Sequence, residues 1–408
     1  MFPRNQKTNG DFGAPRRVTM ADVALRAGVH VTTVSMALRN HPAIPPATRQ
    51  RLQELARMMG YQRDPVLAAL VAYRHHACLN PGGQLLGYIT NWDSRWGWKN
   101  LPAYRAFYAG AVESAAQLGF RLEHFWLGEP RMSHRRLDGI LHSRGITGLI
   151  LASHRREVEG PLDFEWSRYS AVKIDVSPVR QPLHVVTNDQ GAIIMLAMRR
   201  ALAAGYQRIG LVIPRWWDEH VDLAWSGGYL AYQQKLPRKD RVPILFYADA
   251  VRRQGWGNDA PDCLVPRGAF DKWLQAHQPE AVLSCRAFVE ERLAEMRLSV
   301  PGDLAYADIF LTEPNGRIAG VHENCTRVGA LAVEILAGQI QNHLRGIPAV
   351  ATSTLVEGTW HDGASLPFRR PAAGVNRGTE GIGRSEAAGQ VGSAVGDGPK
   401  SSVPVAAS

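Results

Sequence analysis

Short apolar runs alternate along most of this chain with stretches in which apolar residues return at helical spacing. Leu85 to Thr90, Gly148 to Ala152, Ala171 to Ile174 and Val185 to Thr187 are too continuously apolar for one-faced strands and read as buried parallel ones, with an amphipathic helix from about Tyr104 to Leu118. A second set follows at Ile209 to Ile213, Val242 to Phe246, Ala281 to Ser284 and Leu304 to Ala307. Helical periods near Gly191 to Ala203, Ala224 to Gln234, Phe270 to Ala276 and Phe288 to Arg297 lie around and between these runs. Two rounds of strand and helix predict two doubly wound α/β subdomains. Gly329 to Leu336 opens a further, strongly amphipathic helix.

The first seventy residues have a different grain. Thr19-Met20-Ala21-Asp22 has capping-box spacing, which starts a helix at Met20. Ala24, Gly28 and Val34 fall where a helix-turn-helix needs a small residue at the crossing, a left-handed turn, and a branched residue behind the second helix. Val23, Ala24, Ala27, Val29, Val34, Ala37 and Leu38 then face a third helix, leaving Val31, Thr32, Thr33, Ser35 and Met36 toward a groove. That third helix opens at Pro46, carries Leu52, Leu55, Ala56 and Met59 as its apolar stripe, and stops at Gly60. Asp64-Pro65 then begins an apolar run to Leu70, too short to be a stable helix alone and suited to completion by a second copy and a minor groove.

Charge sharpens that reading. Met1 to Asn80 holds eleven basic and four acidic side chains, a surplus of +7 within the +10 of the whole chain. A basic head on a nearly balanced body is the footprint of a phosphate-backbone binder. The 408 residues, 45% of them hydrophobic, suffice for a small head plus a large cored body. No apolar run reaches bilayer length and the polar N-terminus lacks an export signal's apolar stretch, so the expectation is a cytoplasmic, nucleoid-associated protein with no membrane contact. Cys78, Cys263, Cys285 and Cys325 are scattered without metal-ligand or disulfide spacing, and no cofactor is expected. Nucleophile elbow, phosphate loop and dinucleotide fingerprint are all missing, which argues against an enzyme. The segmentation expected is a disordered basic stretch (1–17), the helix-turn-helix head (18–63), a hinge helix and linker (64–84), a two-subdomain body (85–366) and a disordered tail (367–408).

Val18 to Ala24, the Gly28-Val29 turn, Thr33-Val34-Ser35, Thr48-Arg49 and Gly60-Tyr61 together resemble the head of the LacI/GalR family of bacterial transcription regulators. The resemblance extends to about Gly363 through Asn188-Asp189-Gln190-Gly191-Ala192, Gly205 to Gly210, Gly346-Ile347-Pro348, and Gly329 to Leu336 with Leu355 to Trp360, which it implies are the closing helix and last strand. It implies a homodimeric regulator, in most members a repressor, on a palindromic double-stranded operator. Val31 and Thr32 would then meet base edges, and Thr33 and Ser35 phosphates. Thr19, Met36, Arg39, Arg49 and Tyr61 complete the DNA-binding set in the head, and Leu67 and Leu70 belong to the hinge, Leu70 as a wedge. Three departures stand out in the head: His30 replaces the usual serine cap, Met36 a frequent arginine, and Arg63-Asp64-Pro65 the usual Pro-Asn.

The resemblance also implies a periplasmic-binding-protein-like body closing on a small effector, with the chain crossing between subdomains near Val186 to Asp189 and Ala307 to Phe310. Here Trp225 stands before Gly228-Tyr229 in place of a sugar-gripping arginine, Arg286-Ala287 in place of Asn-Asp, and Phe310 in place of an aspartate. The effector is therefore a sugar or another ring compound stacked on aromatic walls, or none is used. Asp93, Trp96, Trp98, Tyr104, Asp189, Trp217, Asp222, Trp225, Arg286, His322 and Glu323 are the candidate effector contacts. His322-Glu323 has no second ligand at helical spacing, so no metal is expected. The competing reading is an architectural DNA binder without a diffusible effector, which would bind with strong salt dependence and little sequence preference.

Overall fold

A computed structural model describes residues 18–61, 83–154, 161–175, 181–247, 266–285 and 288–369. The expected disordered N-terminal stretch (1–17), the expected tail (367–408) from residue 370 on, Asp64 to Leu70 of the hinge and most of the linker lie outside the described residues.

The head is α1 (Met20–Ala27), α2 (Val31–Leu38) and α3 (Pro46–Met58). Both halves of the Thr19/Asp22 capping box form at α1, and Gly28 turns the chain at φ +66°. A side chain there would meet no neighbour, so glycine is required by the left-handed backbone alone. Val23, Ala24, Val34 and Ala56 make the head's core, with Val18, Val29, Leu38, Leu55, Met59 and Tyr61 packed around it. Leu52 is fully buried as well.

In the body, the first parallel sheet is built from β1 (Gln84–Asn91), β2 (Phe120–Trp126), β3 (Gly148–His154), β4 (Ser170–Ile174), β5 (His184–Asn188) and β11 (Ser353–Val356). Its order is β11-β5-β4-β3-β1-β2. Helices α4 (Pro102–Gln117) and α11 (Cys325–Gln341) pack together over one face, with Leu86, Tyr88, Ile150 and Val172 beneath. They cross so closely that a β-carbon on Gly110 would lie 1.9 Å from the Thr326 carbonyl, and one on Gly329 1.9 Å from that of Phe107. Leu137 and Leu141 of α5 (His134–Ser143) cover the opposite face.

The second sheet runs β12-β10-β9-β8-β6-β7 and is parallel except where β12 (Thr359–His361) pairs antiparallel with β10 (Ala319–His322). Its other strands are β6 (Ile209–Pro214), β7 (Leu245–Tyr247), β8 (Ala281–Ser284) and β9 (Ala305–Leu311). Helices α6 (Gln190–Ala203) and α8 (Ala224–Gln233) fill one face, and α9 (Arg267–His277) and α10 (Phe288–Glu295) the other. A short α7 (Arg215–His220) leaves the end of β6. The fold is thus a helix-turn-helix head followed by two doubly wound α/β subdomains.

Several expectations shift. β2, α5 and α7 were not anticipated, because β2 carries Arg121, Glu123 and His124 among its apolar residues and the two helices are short and rich in charge. The strand expected from Val242 begins at Leu245, since the Val242 N–H donates to Gln233 Oε1 at 3.1 Å. Ala307 to Phe310 is the interior of β9, not a crossing. The expected first crossing near Val186 to Asp189 is found at Asn188–Gln190; the others lie at His322–Cys325 and between β11 and β12, which divide the single strand expected at Leu355 to Trp360. The ordered body also runs past 366: the Arg369 N–H donates to the Ala204 carbonyl, and its guanidinium pairs with Glu280 at 2.7 Å over the Tyr206 ring.

Candidate functional site: the head and the cleft

At the leading end of α2, Val31 and Thr32 are exposed, while Thr33, Ser35 and Met36 are half-buried. His30 replaces serine as the cap in working order: its Nδ1 accepts the Thr32 N–H at 3.2 Å and lies 2.8 Å from the Thr32 hydroxyl. With Nδ1 accepting, the hydroxyl donates to it and turns its own lone pairs outward. Thr19 is engaged as the α1 cap, its hydroxyl donating to Asp22 Oδ2 at 2.7 Å. Arg39 folds back onto the Ser35 carbonyl at 3.1 Å, and Arg49 reaches the Asn40 carbonyl at 3.0 Å from α3. Tyr61 packs against the head's core. Leu67 and Leu70 lie outside the described residues.

The second site lies between the two subdomains, at the carboxyl ends of the parallel strands, where open α/β sheets hold ligands. A cavity of about 50 Å³ opens there. Tyr104 and Phe107 of α4 and Asp175, just beyond β4, line it from the first subdomain. Trp216, Trp217 and His220 of α7, Trp225 of α8 and Phe310 of β9 face them from the second. Trp217 stacks on Trp225 with centroids 6.3 Å apart and meets Phe310 edge-on at 5.7 Å.

Two carboxylates anchor the cleft. Asp175 accepts from the Tyr104 hydroxyl at 3.2 Å and the Thr187 hydroxyl at 3.4 Å, and lies 3.7 Å from His220 Nε2. Glu323, in the second crossing, is fully enclosed: Gln190 Nε2 donates to its Oε1 at 2.9 Å, and Cys325 Sγ lies 3.5 Å from its Oε2. Gln190 in turn accepts from Trp225 Nε1 at 2.6 Å, and the Asn188 amide donates to the Glu323 carbonyl. Burial pushes the Glu323 carboxyl up to about 8, beyond what the Gln190 and Cys325 hydrogen bonds draw down, with Asp175 and Asp308 adding to the rise. The Cys325 thiol is likewise raised by burial and by Glu323.

Of the residues expected at the effector site, the cleft brings together Tyr104, Trp217, Trp225 and Glu323. The others sit elsewhere. Asp93 and Trp96 are in the exposed loop after β1, where Lys99 lies 4.0 Å over the Trp96 ring. Trp98 is buried among Tyr88, Tyr108 and His124, and there burial lowers the His124 imidazole to about 4, with Arg95 and Lys99 contributing. Asp189 caps α6 by accepting the Ala192 N–H at 2.8 Å, and Asp222 is exposed in the turn before α8. His322 holds Asn324 beside a separate groove, and Arg286 lies outside the described residues. Asp175, Gln190, Trp216 and His220 are cleft residues that the sequence did not single out. Asp175 carried a usable signal, since it follows a predicted parallel strand at its carboxyl end. His220 had none, because α7 itself was not foreseen.

The chain thus joins a helix-turn-helix head to a body of two doubly wound subdomains with a cleft between them. Residues 19–64 match the family of bacterial regulatory proteins, lacI family. The chain is also 28% identical over 145 residues to an uncharacterized HTH-type transcriptional regulator, YkvZ of Bacillus subtilis (strain 168), a match covering 35% of this chain and 40% of that protein. Among solved structures, a putative LacI-family transcriptional regulator from Rhizobium etli shares the fold at 16% identity, with TM-score 0.52 over 70% of this chain and 99% of that one. The transcriptional regulator CelR in complex with cellobiose aligns at 17% identity and TM-score 0.49, over 86% of this chain and all of that one.

Proposed function

We propose that this chain is a sequence-specific transcription regulator, acting as a repressor, that binds a palindromic operator as a homodimer and answers to a small molecule in the cleft. The observation that carries the DNA reading is the capped, exposed leading end of α2 within the lacI-family head. In this reading Val31 and the Thr32 oxygen meet base edges in the major groove, and the outward lone pairs of Thr32 favour a base amino group. Thr33 and Ser35 contact phosphate, Arg39 and Arg49 brace the reading helix, and Leu67 and Leu70 act in the minor groove between half-sites. Ligand in the cleft changes the angle between the subdomains and so the spacing of the paired heads, which changes operator affinity by differential binding to the two states. No helix of the described residues is long and apolar enough to cross a membrane, and the proposal places the protein on the nucleoid.

The test is selection of binding sites by the full-length protein from a random duplex library at near-physiological salt. Enrichment of a palindrome with a defined centre supports a dimeric regulator. Salt-sensitive binding without enrichment replaces it with the architectural role.

A further inference from the structure

The cleft has a chemistry at odds with the chain around it. The protein carries a net charge of +10, yet no lysine or arginine is among the described residues that line this cavity. Its acidic groups are Asp175 and Glu323, with His220 beside them, and of these Glu323 holds its proton up to about 8. Six aromatic side chains, those of Tyr104, Phe107, Trp216, Trp217, Trp225 and Phe310, form most of the rest of the wall, together with the amides of Asn188 and Gln190 and three aliphatic residues. Ring faces carry negative electrostatic potential and attract cations, most strongly when desolvated, and tryptophan is the best of them.

The hydrogen-bonding capacity of the wall points the same way. A sugar hydroxyl both donates and accepts, so a polyhydroxylated ligand needs donors as well as acceptors. Here the Gln190 amide donates to Glu323, the Asn188 amide to the Glu323 carbonyl, and the Trp225 indole to Gln190. These three donors are spent within the protein; His220 Nε2, 3.7 Å from Asp175, makes no hydrogen bond among the described residues, and the Asp175 carboxylate, accepting from two hydroxyls, is the acidic group set against the aromatic wall. An ammonium group asks for acceptors and π faces and nothing else. Size agrees: about 50 Å³ is room for a few atoms, given that one water needs roughly 10–15 Å³ by the same measure, which suits a small head group better than a sugar ring.

We propose that the cleft binds a small organic ammonium ion, its positive group boxed by Trp217, Trp225, Phe310 and Tyr104 and faced by Asp175. This rests on the effector reading above for its regulatory meaning, but not for the binding itself.

The experiment is calorimetric titration of the full-length protein with methylammonium, tetramethylammonium, choline and putrescine, each at fixed ionic strength. The controls are 3,3-dimethylbutan-1-ol, which is choline's uncharged isostere, and cellobiose. The expected result is saturable binding of at least one cation, at least about tenfold tighter than the uncharged alcohol, a difference of about 1.4 kcal/mol. Asp175→Asn and Trp217→Leu should each weaken it at least about tenfold while the thermal midpoint holds. Trp217→Phe, which keeps a ring, should retain part of the affinity if Trp217→Leu fails to fold. Equal affinity for choline and the alcohol, binding of cellobiose instead, or no cation bound overturns the proposal. Mobility of the selected operator in the same samples separates the two readings: a cation that binds without changing DNA affinity keeps this inference and removes the regulatory one. A neutral ligand that shifts DNA affinity while no cation binds does the reverse.

Discussion

Glu323→Gln should make the protein more stable at neutral and alkaline pH, and by an amount that grows with pH. Glu323 is sealed in the crossing between the subdomains with Gln190, Asn188 and Cys325 around it, and burial raises its carboxyl to about 8 from an ordinary 4.5. A folded value above the unfolded one means the fold holds its proton more tightly. Its stabilising effect is complete below the unfolded value and is lost progressively as pH rises through about 8. At about 1.4 kcal/mol per pH unit, wild type should lose roughly 3 kcal/mol relative to the glutamine variant between pH 5 and 8. Glutamine keeps the oxygen that accepts from Gln190 and the volume of the site, and has no proton to lose. Urea unfolding followed by tryptophan fluorescence, with midpoints converted through the denaturant slope, measures the difference at each pH. Subtracting the variant cancels every other titrating group. Parallel midpoints for the two proteins from pH 5 to 8 would refute the reasoning, since they would mean that Glu323 ionises freely in the fold.

The remaining predictions concern the head and the packing of the body. His30→Ala should destabilise the head by about 1 kcal/mol through loss of the α2 cap, and His30→Ser should recover most of it, read by thermal unfolding of the full chain with helix signal. Thr32→Ala should flatten base preference at one half-site position in a repeated site selection, whereas Arg49→Ala, which frees the Asn40 carbonyl it holds, should weaken all duplexes alike. Gly329→Ala should cost at least about 1–3 kcal/mol, because its new methyl meets the Phe107 backbone carbonyl and two packed helices must part to admit it. His124, kept neutral by burial and by Arg95 and Lys99, should make the first subdomain acid-labile: the unfolded chain takes up the proton first, so stability falls as pH drops from about 6.5 toward 4. His124→Gln should remove that slope in acid denaturation curves.

Local rules determined what depends on neighbours in sequence. The capping box at Thr19, the left-handed Gly28 and the opening of α3 at Pro46 are decided within a few residues, and the structure has each where the sequence put it. The buried parallel strands were legible for a related reason, since a strand covered on both faces needs an unbroken apolar run, as β6 and β8 have. β2 and α5 broke that pattern with charge and were invisible until their partners were known. The cleft was the least legible part. Whether an aromatic lines a ligand site or a core depends on which sheet end and which subdomain it meets, and sequence spacing carries neither. Trp98 and Trp217 look alike in the chain; one is buried beneath Tyr108 and the other walls the cleft. Asp175 and Glu323 stand 148 positions apart and come together only because the chain crosses between its two subdomains more than once, and that path belongs to the tertiary structure alone.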